Sequence, residues 1–335
     1  MDIKKAVVIG SNSFFGSHLV DYLLDNTDWQ VIGISRSPEP AKVLLPYLYK
    51  KRRSPRFSFY QLNLNYDLPK IIKLVDQKKP EVIINFAAQS NVDHSWTNPQ
   101  EWFMTNCISL VNLVNLLRER SYLKKFIQIS TPEVYGPCED LRETSNFFNP
   151  ASPYGASKAA GDLFLLAMAN QGGFPVSFVR ASNIYGPHQQ PYRIIPYSII
   201  QLKNGSKIRL KSPQIQRDFI YIKDAVAGIY QSILKGQTGA VYHLASGSVT
   251  SILKLAKTIC LRSGLKQPNQ WIEIVPKIKR VKRDALYGLN FVQTKKILGW
   301  KPKISLEQGL DETISWVNES WQNLKNHPLQ YIHKK

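Results

Sequence analysis

Short apolar runs alternate with stretches of helical periodicity through the first half of the chain. Ala6-Val7-Val8-Ile9 has strand length, and Ser17 to Leu24 repeats apolar residues at helical spacing after an intervening small-residue turn. Trp29 to Ile34 predicts a second strand and Phe57 to Leu64 a third. Glu81 to Ala88 and Lys125 to Ser130 add two buried strands, with a helical stretch at Leu110 to Leu117 between them. Near-continuous apolar strands separated by amphipathic helices are the pattern of a parallel sheet covered on both faces, so the fold class is α/β and doubly wound.

The first turn carries candidate chemistry. Gly10-Ser11-Asn12-Ser13-Phe14-Phe15-Gly16 joins the first strand to the first helix, an arrangement that aims backbone N–H groups and a helix N-terminus at a pyrophosphate. Gly10 and Gly16 stand where backbone must come close, while Ser13 replaces the middle glycine of the pattern; a plain strand-to-helix turn would read similarly. The second strand ends at Ser35-Arg36-Ser37, where an NAD-binding unit would carry an acid on the adenosine ribose. A guanidinium there suits a 2′-phosphate, which points to NADP, with NAD as the alternative and a solvated loop arginine as the bland reading. Asn63 and Leu64, ending the third strand, are placed to cover the adenine.

Ser152-Pro153-Tyr154-Gly155-Ala156-Ser157-Lys158 puts a tyrosine four residues before a lysine. On a helix these share one face, so the ammonium of Lys158 is expected beneath the phenol of Tyr154, drawing its pKa down from about 10 toward working pH. Such a phenolate accepts a proton from a substrate hydroxyl. An isolated match would fit a solvated helix as well; its weight comes from the nucleotide-binding pattern upstream.

Taken together, the Gly10 to Gly16 loop, Asn85-Phe86-Ala87-Ala88-Gln89-Ser90, Thr105-Asn106, Ser130 to Gly136, the Tyr154/Lys158 pair, Arg180 to Pro187, Arg217 to Asp224 and Leu298 to Pro302 resemble the extended short-chain dehydrogenase/reductase superfamily. The branch is the one that modifies nucleotide-activated sugars. The resemblance implies a Rossmann domain with a smaller C-terminal substrate lobe. It assigns the cofactor to Gly10, Ser13, Phe14, Phe15, Gly16, Arg36, Asn63, Leu64, Ala87, Ala88, Asn106, Tyr154 and Lys158, and the substrate to Ser90, Thr131, Asn183, Arg193 and Arg217. Within the branch Glu133 favours the 4,6-dehydratases, since elimination across C5 and C6 needs a base beyond the oxidising set of Thr131, Tyr154 and Lys158. The preceding residue, which in dehydratases protonates the leaving group, is here Pro132, without an ionisable group or an N–H. A 4-epimerase is therefore the alternative. The resemblance also implies a homodimer through the helices bearing Leu110 to Leu117 and Tyr154 to Leu165, although burial on the chain's own sheet would produce the same apolar faces. Tyr242 and His243 read either as a floor of the nucleotide pocket or as structural residues.

The expected layout is a cofactor domain over residues 1–186, with 217–247 returning to it as two strands and a helix, and a substrate lobe from 187–216 and 248–325. The polar and basic tail, 326–335, is expected to fray. At 335 residues and 43% hydrophobic content the chain can bury one large core and a smaller lobe. Its three cysteines, Cys107, Cys138 and Cys260, have neither metal spacing nor a disulfide framework, which points to a reducing compartment and no metal site. With no spanning apolar run and a first strand that starts at once, a cytoplasmic protein is expected. A net charge of +20 gathers at Lys50 to Arg56 and Lys277 to Arg283, which raises nucleic acid as a partner. No aromatic-interleaved basic motif accompanies these clusters, and the reading favours a nucleoside-diphosphate sugar substrate.

Overall fold

The computed structural model describes residues 4–50, 53–143, 147–276 and 286–333. Lys51 and Arg52 of the first basic cluster, the whole of Lys277 to Arg283, and Lys334 and Lys335 of the tail lie outside the described residues. The strands run β1 (Lys5–Ile9), β2 (Gln30–Ser35), β3 (Phe57–Gln61), β4 (Val82–Asn85), β5 (Lys125–Ser130), β6 (Cys138–Leu141), β7 (Val176–Ala181), β8 (Asn183–Tyr185), β9 (Ile208–Leu210), β10 (Gln216–Tyr221), β11 (Val241–Leu244), β12 (Val249–Ser251), β13 (Ile272–Ile274) and β14 (Tyr287–Leu289).

A seven-stranded sheet in the order β11-β7-β5-β4-β1-β2-β3 forms the centre, every neighbouring pair parallel. Burial on both faces explains why Ala6 to Ile9 of β1 are all apolar. Ala6 and Val8 face the side covered by the helices Phe14–Asn26 and Ile222–Lys235, while Val7 and Ile9 face Leu68–Lys78 and Ser109–Leu117. The doubly wound class read from the sequence is the one observed. Strand order reverses between β1 and β4, so the loops leaving their C-terminal ends part and open a crevice.

The returning segment divides. β11 joins the central sheet as its edge strand, whereas β10 pairs parallel with β8 and antiparallel with β12 in a separate three-stranded sheet. Buried Asp218 in β10 fixes this position: it accepts from the Ser182 hydroxyl at 2.7 Å and from the backbone of Ser246 and Gly247 at 2.9 Å each. A carboxylate so placed needs those donors, and they lie on the crossing segments outside the central sheet. Beyond it, the helices Ile194–Lys203, Ile252–Arg262 and Leu306–Glu319 pack together with the β9–β13 pair. No helix among the described residues is long and apolar enough to cross a membrane.

His18 and His243 are buried away from the crevice. His18 Nε2 donates to the Pro187 carbonyl oxygen, 3.0 Å away, and its pKa drops to about 3, through burial first and then the neighbouring His188. His243 lies between the Tyr135 hydroxyl, at 2.7 Å, and the Asn290 carbonyl, at 2.8 Å, and burial lowers it to about 3 as well. Tyr242 and His243 are thus structural, not part of a nucleotide pocket. Between about pH 3 and 6.5 the unfolded chain binds protons that the fold refuses, so stability falls as pH drops below 6.5. By pH 5 each histidine costs about 2 kcal/mol. Urea unfolding at pH 7 and pH 5 should show a smaller loss for His18→Gln than for the natural chain; equal losses would refute the assignment.

Candidate active site

The C-terminal ends of β1, β2, β4 and β5 meet at one cavity of about 1,320 Å³, which continues to the loops beyond β7 and β8. Gly10 follows β1 with φ +83°, and a Cβ there would lie 3.0 Å from Ala87 N and from Phe86. A side chain at Gly10 would therefore be strained and would crowd the adjoining loop. Ser13, in place of the expected glycine, caps the helix Phe14–Asn26: its hydroxyl donates to Gly10 O at 2.7 Å and accepts from Gly16 N at 3.1 Å. Gly10, Ser13, Phe14 and Phe15 line the cavity. Gly16 does not. Its role is close packing, since a Cβ there would sit 2.3 Å from Gly10 O.

At the end of β2, the Ser35 hydroxyl accepts from Asn12 N at 3.2 Å, and Arg36 reaches Gln89 Oε1 at 3.5 Å. Arg36, Asn63, Leu64, Ala87, Ala88 and Ser90 all line the cavity. The 85–90 loop is held from below: Asn85 Oδ1 accepts from Ala87 N at 3.1 Å and its amide donates to Gln128 at 2.9 Å. Asn106, assigned to the cofactor, turns away from the cavity. It lies on a π-helical turn, Met104–Ile108, and its side chain is taken up by Gln89 N at 2.9 Å, Gln89 O at 3.0 Å and Ser157 Oγ at 2.9 Å. It ties the loop to the helix Pro153–Gly172, whose Gly161 allows close approach: a Cβ there would be 2.5 Å from Asn106 O.

Thr131, Glu133, Ser152, Tyr154 and Lys158 gather on the cavity wall. Thr131 caps the short turn Pro132–Val134, accepting from Glu133 N at 3.3 Å, and Ser152 caps the helix Pro153–Gly172 while its hydroxyl donates to Glu133 Oε2 at 3.3 Å. Ser152 was missed in the sequence because a capping serine before proline explains itself. The expected tuning of Tyr154 by Lys158 is not observed. Burial pushes the phenol well above its ordinary value, the Glu133 charge raises it further, and a hydrogen bond from Thr131 lowers it only in part. Lys158 instead donates to the Ile129 carbonyl at 2.9 Å, and burial brings its pKa down to about 8. Four-residue spacing fixed the shared face but not where a flexible ammonium finds its acceptor.

Behind this wall Asp162 accepts from Ser130 Oγ at 2.6 Å and pairs with Arg180 at 2.8 Å, both charges almost fully buried. Arg180 also donates to the Tyr135 hydroxyl, which meets His243. On the far side of the cavity stand Asn183, Arg193 and Arg217; Arg193 lies 5.4 Å over the Tyr192 ring and Arg217 5.4 Å over the Tyr287 ring. Gln89, Tyr192, Tyr287 and a segment near residue 330 also line the cavity, and nothing in their local pattern singled them out. Among the described residues no cluster of three or more His, Cys, Asp or Glu could hold a metal. The residues present suit a nicotinamide dinucleotide: a glycine at positive φ against the cavity, a capped helix N-terminus, Arg36 and Lys158.

A family model described as GDP-mannose 4,6 dehydratase matches residues 7–313. The chain is 30% identical over 332 residues to dTDP-D-glucose 4,6-dehydratase of Mus musculus, covering 96% of this chain and 91% of that one. Among solved structures, dTDP-glucose 4,6-dehydratase of Streptomyces venezuelae with NAD and TYD bound superposes with a TM-score of 0.85 at 26% identity, covering 96% of this chain and 99% of that one. UDP-glucose 4-epimerase of Thermotoga maritima with UDP-glucose gives 0.83 at 26% identity, covering 95% and 99%.

Proposed function

From the membership of this chain in the GDP-mannose 4,6-dehydratase family, within the extended short-chain dehydrogenase/reductase superfamily, we propose that it is a nucleoside-diphosphate-hexose 4,6-dehydratase making a 4-keto-6-deoxy sugar nucleotide. What carries the reading is Glu133, a carboxylate sharing one cavity wall with Thr131 and Tyr154 and bearing electrostatically on the phenol. A bound nicotinamide dinucleotide supplies reversible hydride storage between C4 and C6 of the sugar. Gly10, Ser13, Phe14, Phe15, Arg36, Asn63, Leu64, Ala87, Ala88 and Lys158 would hold it.

Thr131 orients the C4 hydroxyl and Tyr154 takes its proton. Because burial and Glu133 favour the neutral phenol, proton acceptance depends on nearby positive charge. Among the charges that bear on the phenol, the Arg193 guanidinium is the one that favours the phenolate. With C4 a ketone, the C5 proton is acidified and passes to Glu133; the C5–H electron pair forms the C5–C6 double bond as the C6–O bond breaks. Pro132 offers no proton to the departing oxygen, so Glu133, steadied by Ser152, carries the same proton from C5 to it and water leaves; C5 then takes a proton from solvent as the stored hydride would return to C6, and Tyr154 gives its proton back to solvent. Arg193 and Arg217 grip the diphosphate, with Ser90 and Asn183 beside the sugar nucleotide.

The assay is turnover of candidate sugar nucleotides in heavy water. Product lighter by one water and carrying deuterium at C5 supports the dehydratase. An isomer of unchanged mass without exchange at C5 supports a 4-epimerase, the reading that Pro132 favours.

For the coenzyme, we infer a preference for NADP from Arg36, although the solved dehydratase relative carries NAD. Arg36→Ala is expected to weaken NADP about 10- to 100-fold, the worth of a charge-assisted hydrogen bond, with a much smaller effect on NAD. Calorimetric titration with each dinucleotide checks this, and equal losses would overturn the preference. We also infer a homodimer: Leu110, Leu113 and Leu165 are spent on the chain's own sheet, but Met104, Ile108 and Leu163 remain exposed on the paired helices.

A further inference from the structure

The segment 327–333, expected to fray, lies along the mouth of the cleft. His327, Pro328, Leu329, Gln330, Tyr331 and Ile332 line the same cavity as Gly10 and Tyr154. Its far end is clamped. His333 Nε2 lies 2.7 Å from Glu101 Oε2, and the His333 ring stacks on buried Trp102 and on His94, each at 5.4 Å with planes within 10°. Tyr331 meets Tyr192 edge-on at 5.4 Å, and its hydroxyl feels the guanidinium charges of both Arg36 and Arg193.

These contacts join two otherwise separate parts. His94, Glu101 and Trp102 belong to the segment after β4, whereas Tyr192 and Arg193 lead into the helix Ile194–Lys203 on the far side of the crevice. With the segment in place the cavity still measures about 1,320 Å³. Pockets for one small ligand run from about 300 to 1,000 Å³, so this volume suits two ligands and argues for a wall and against a plug.

We propose that residues 327–333 form a retaining wall of the nucleotide cleft, with Tyr331 set between Arg36 on the dinucleotide side and Arg193 on the sugar-nucleotide side, and that this wall slows release of the dinucleotide. The inference rests on the reading of the cleft given above. Anchoring through His333 holds the wall in position, and Tyr331, edge-on to Tyr192, lines the cavity.

The test uses the full chain loaded with NADP or NAD, whichever binds, and follows release after a chase by tryptophan fluorescence. Tyr331→Ala and His333→Ala should each speed release about tenfold, since changes of this kind fall mainly on the dissociation rate. Tyr331→Phe, which keeps the ring, should stay near the natural rate. Chymotryptic cutting at Tyr331 should slow when dinucleotide is added. Tight binding by the full chain with unchanged release in both alanine variants would overturn the wall alone. No binding of either dinucleotide by the full chain would overturn the reading of the cleft together with it.

Discussion

Replacing Tyr154 by Phe should cut kcat by about 10²- to 10⁴-fold, the usual worth of a positioned proton acceptor, with dinucleotide affinity little changed. The phenol oxygen is the single atom removed, and the ring remains on the cavity wall. Because burial and the Glu133 charge hold the natural phenol above its ordinary pKa, the active phenolate is a minor form at neutral pH. Activity of the natural chain should therefore climb as pH rises, and the residual activity of the variant should lack that climb. A variant retaining more than about a tenth of natural kcat would remove Tyr154 from the proton path. The hydrogen bond from Thr131 predicts a lesser defect for Thr131→Val, since the base survives but loses its orienting partner.

Glu133→Gln should be comparably damaging at a different step. The amide matches the carboxylate in shape and can still accept from Ser152 Oγ, now 3.3 Å away, so packing is preserved while proton-accepting capacity is lost. Deuterium should no longer enter C5 from heavy water, and loss of water from C6 should fall about 10²- to 10⁴-fold. Removing the negative charge also relieves one of the influences that hold the Tyr154 phenol protonated, so the hydroxyl proton at C4 should be lost at least as readily as before. Normal exchange at C5 in this variant would place the base elsewhere. Unchanged turnover to an isomer would select the epimerase.

Much of this was legible in the chain because the relevant signals are local. Strands buried on both faces are near-continuously apolar, so β1, β2, β4 and β5 stand out as runs, and Gly10, Tyr154, Lys158 and Glu133 sit at fixed offsets from those runs or on one helix face. What escaped depends on distant partners. Asn106 turns inward because a π-helical turn shifts the helix face, and no periodicity announces that. The partner strands of β10 follow from Asp218 seeking donors some thirty residues away on either side. Lys158 chose a carbonyl of β5 over the neighbouring phenol, a choice among acceptors within reach of one long side chain. The closing segment owes its position to Trp102 and Glu101, more than two hundred residues earlier.

The carboxylate of Asp162 has a consequence for how such a cleft can change. It is shared by Ser130, at the end of β5, and Arg180, on β7, in a region with almost no access to water. Losing Arg180 strands the buried carboxylate, at a cost of about 3–5 kcal/mol for an ion pair broken on one side, whereas losing Ser130 removes one hydrogen bond to it. The floor beneath Thr131 is thereby a rivet between adjacent strands, intolerant of drift. New sugar preferences in this scaffold must come from the rim, where Tyr192, Tyr287 and Tyr331 line the cavity apart from this foundation.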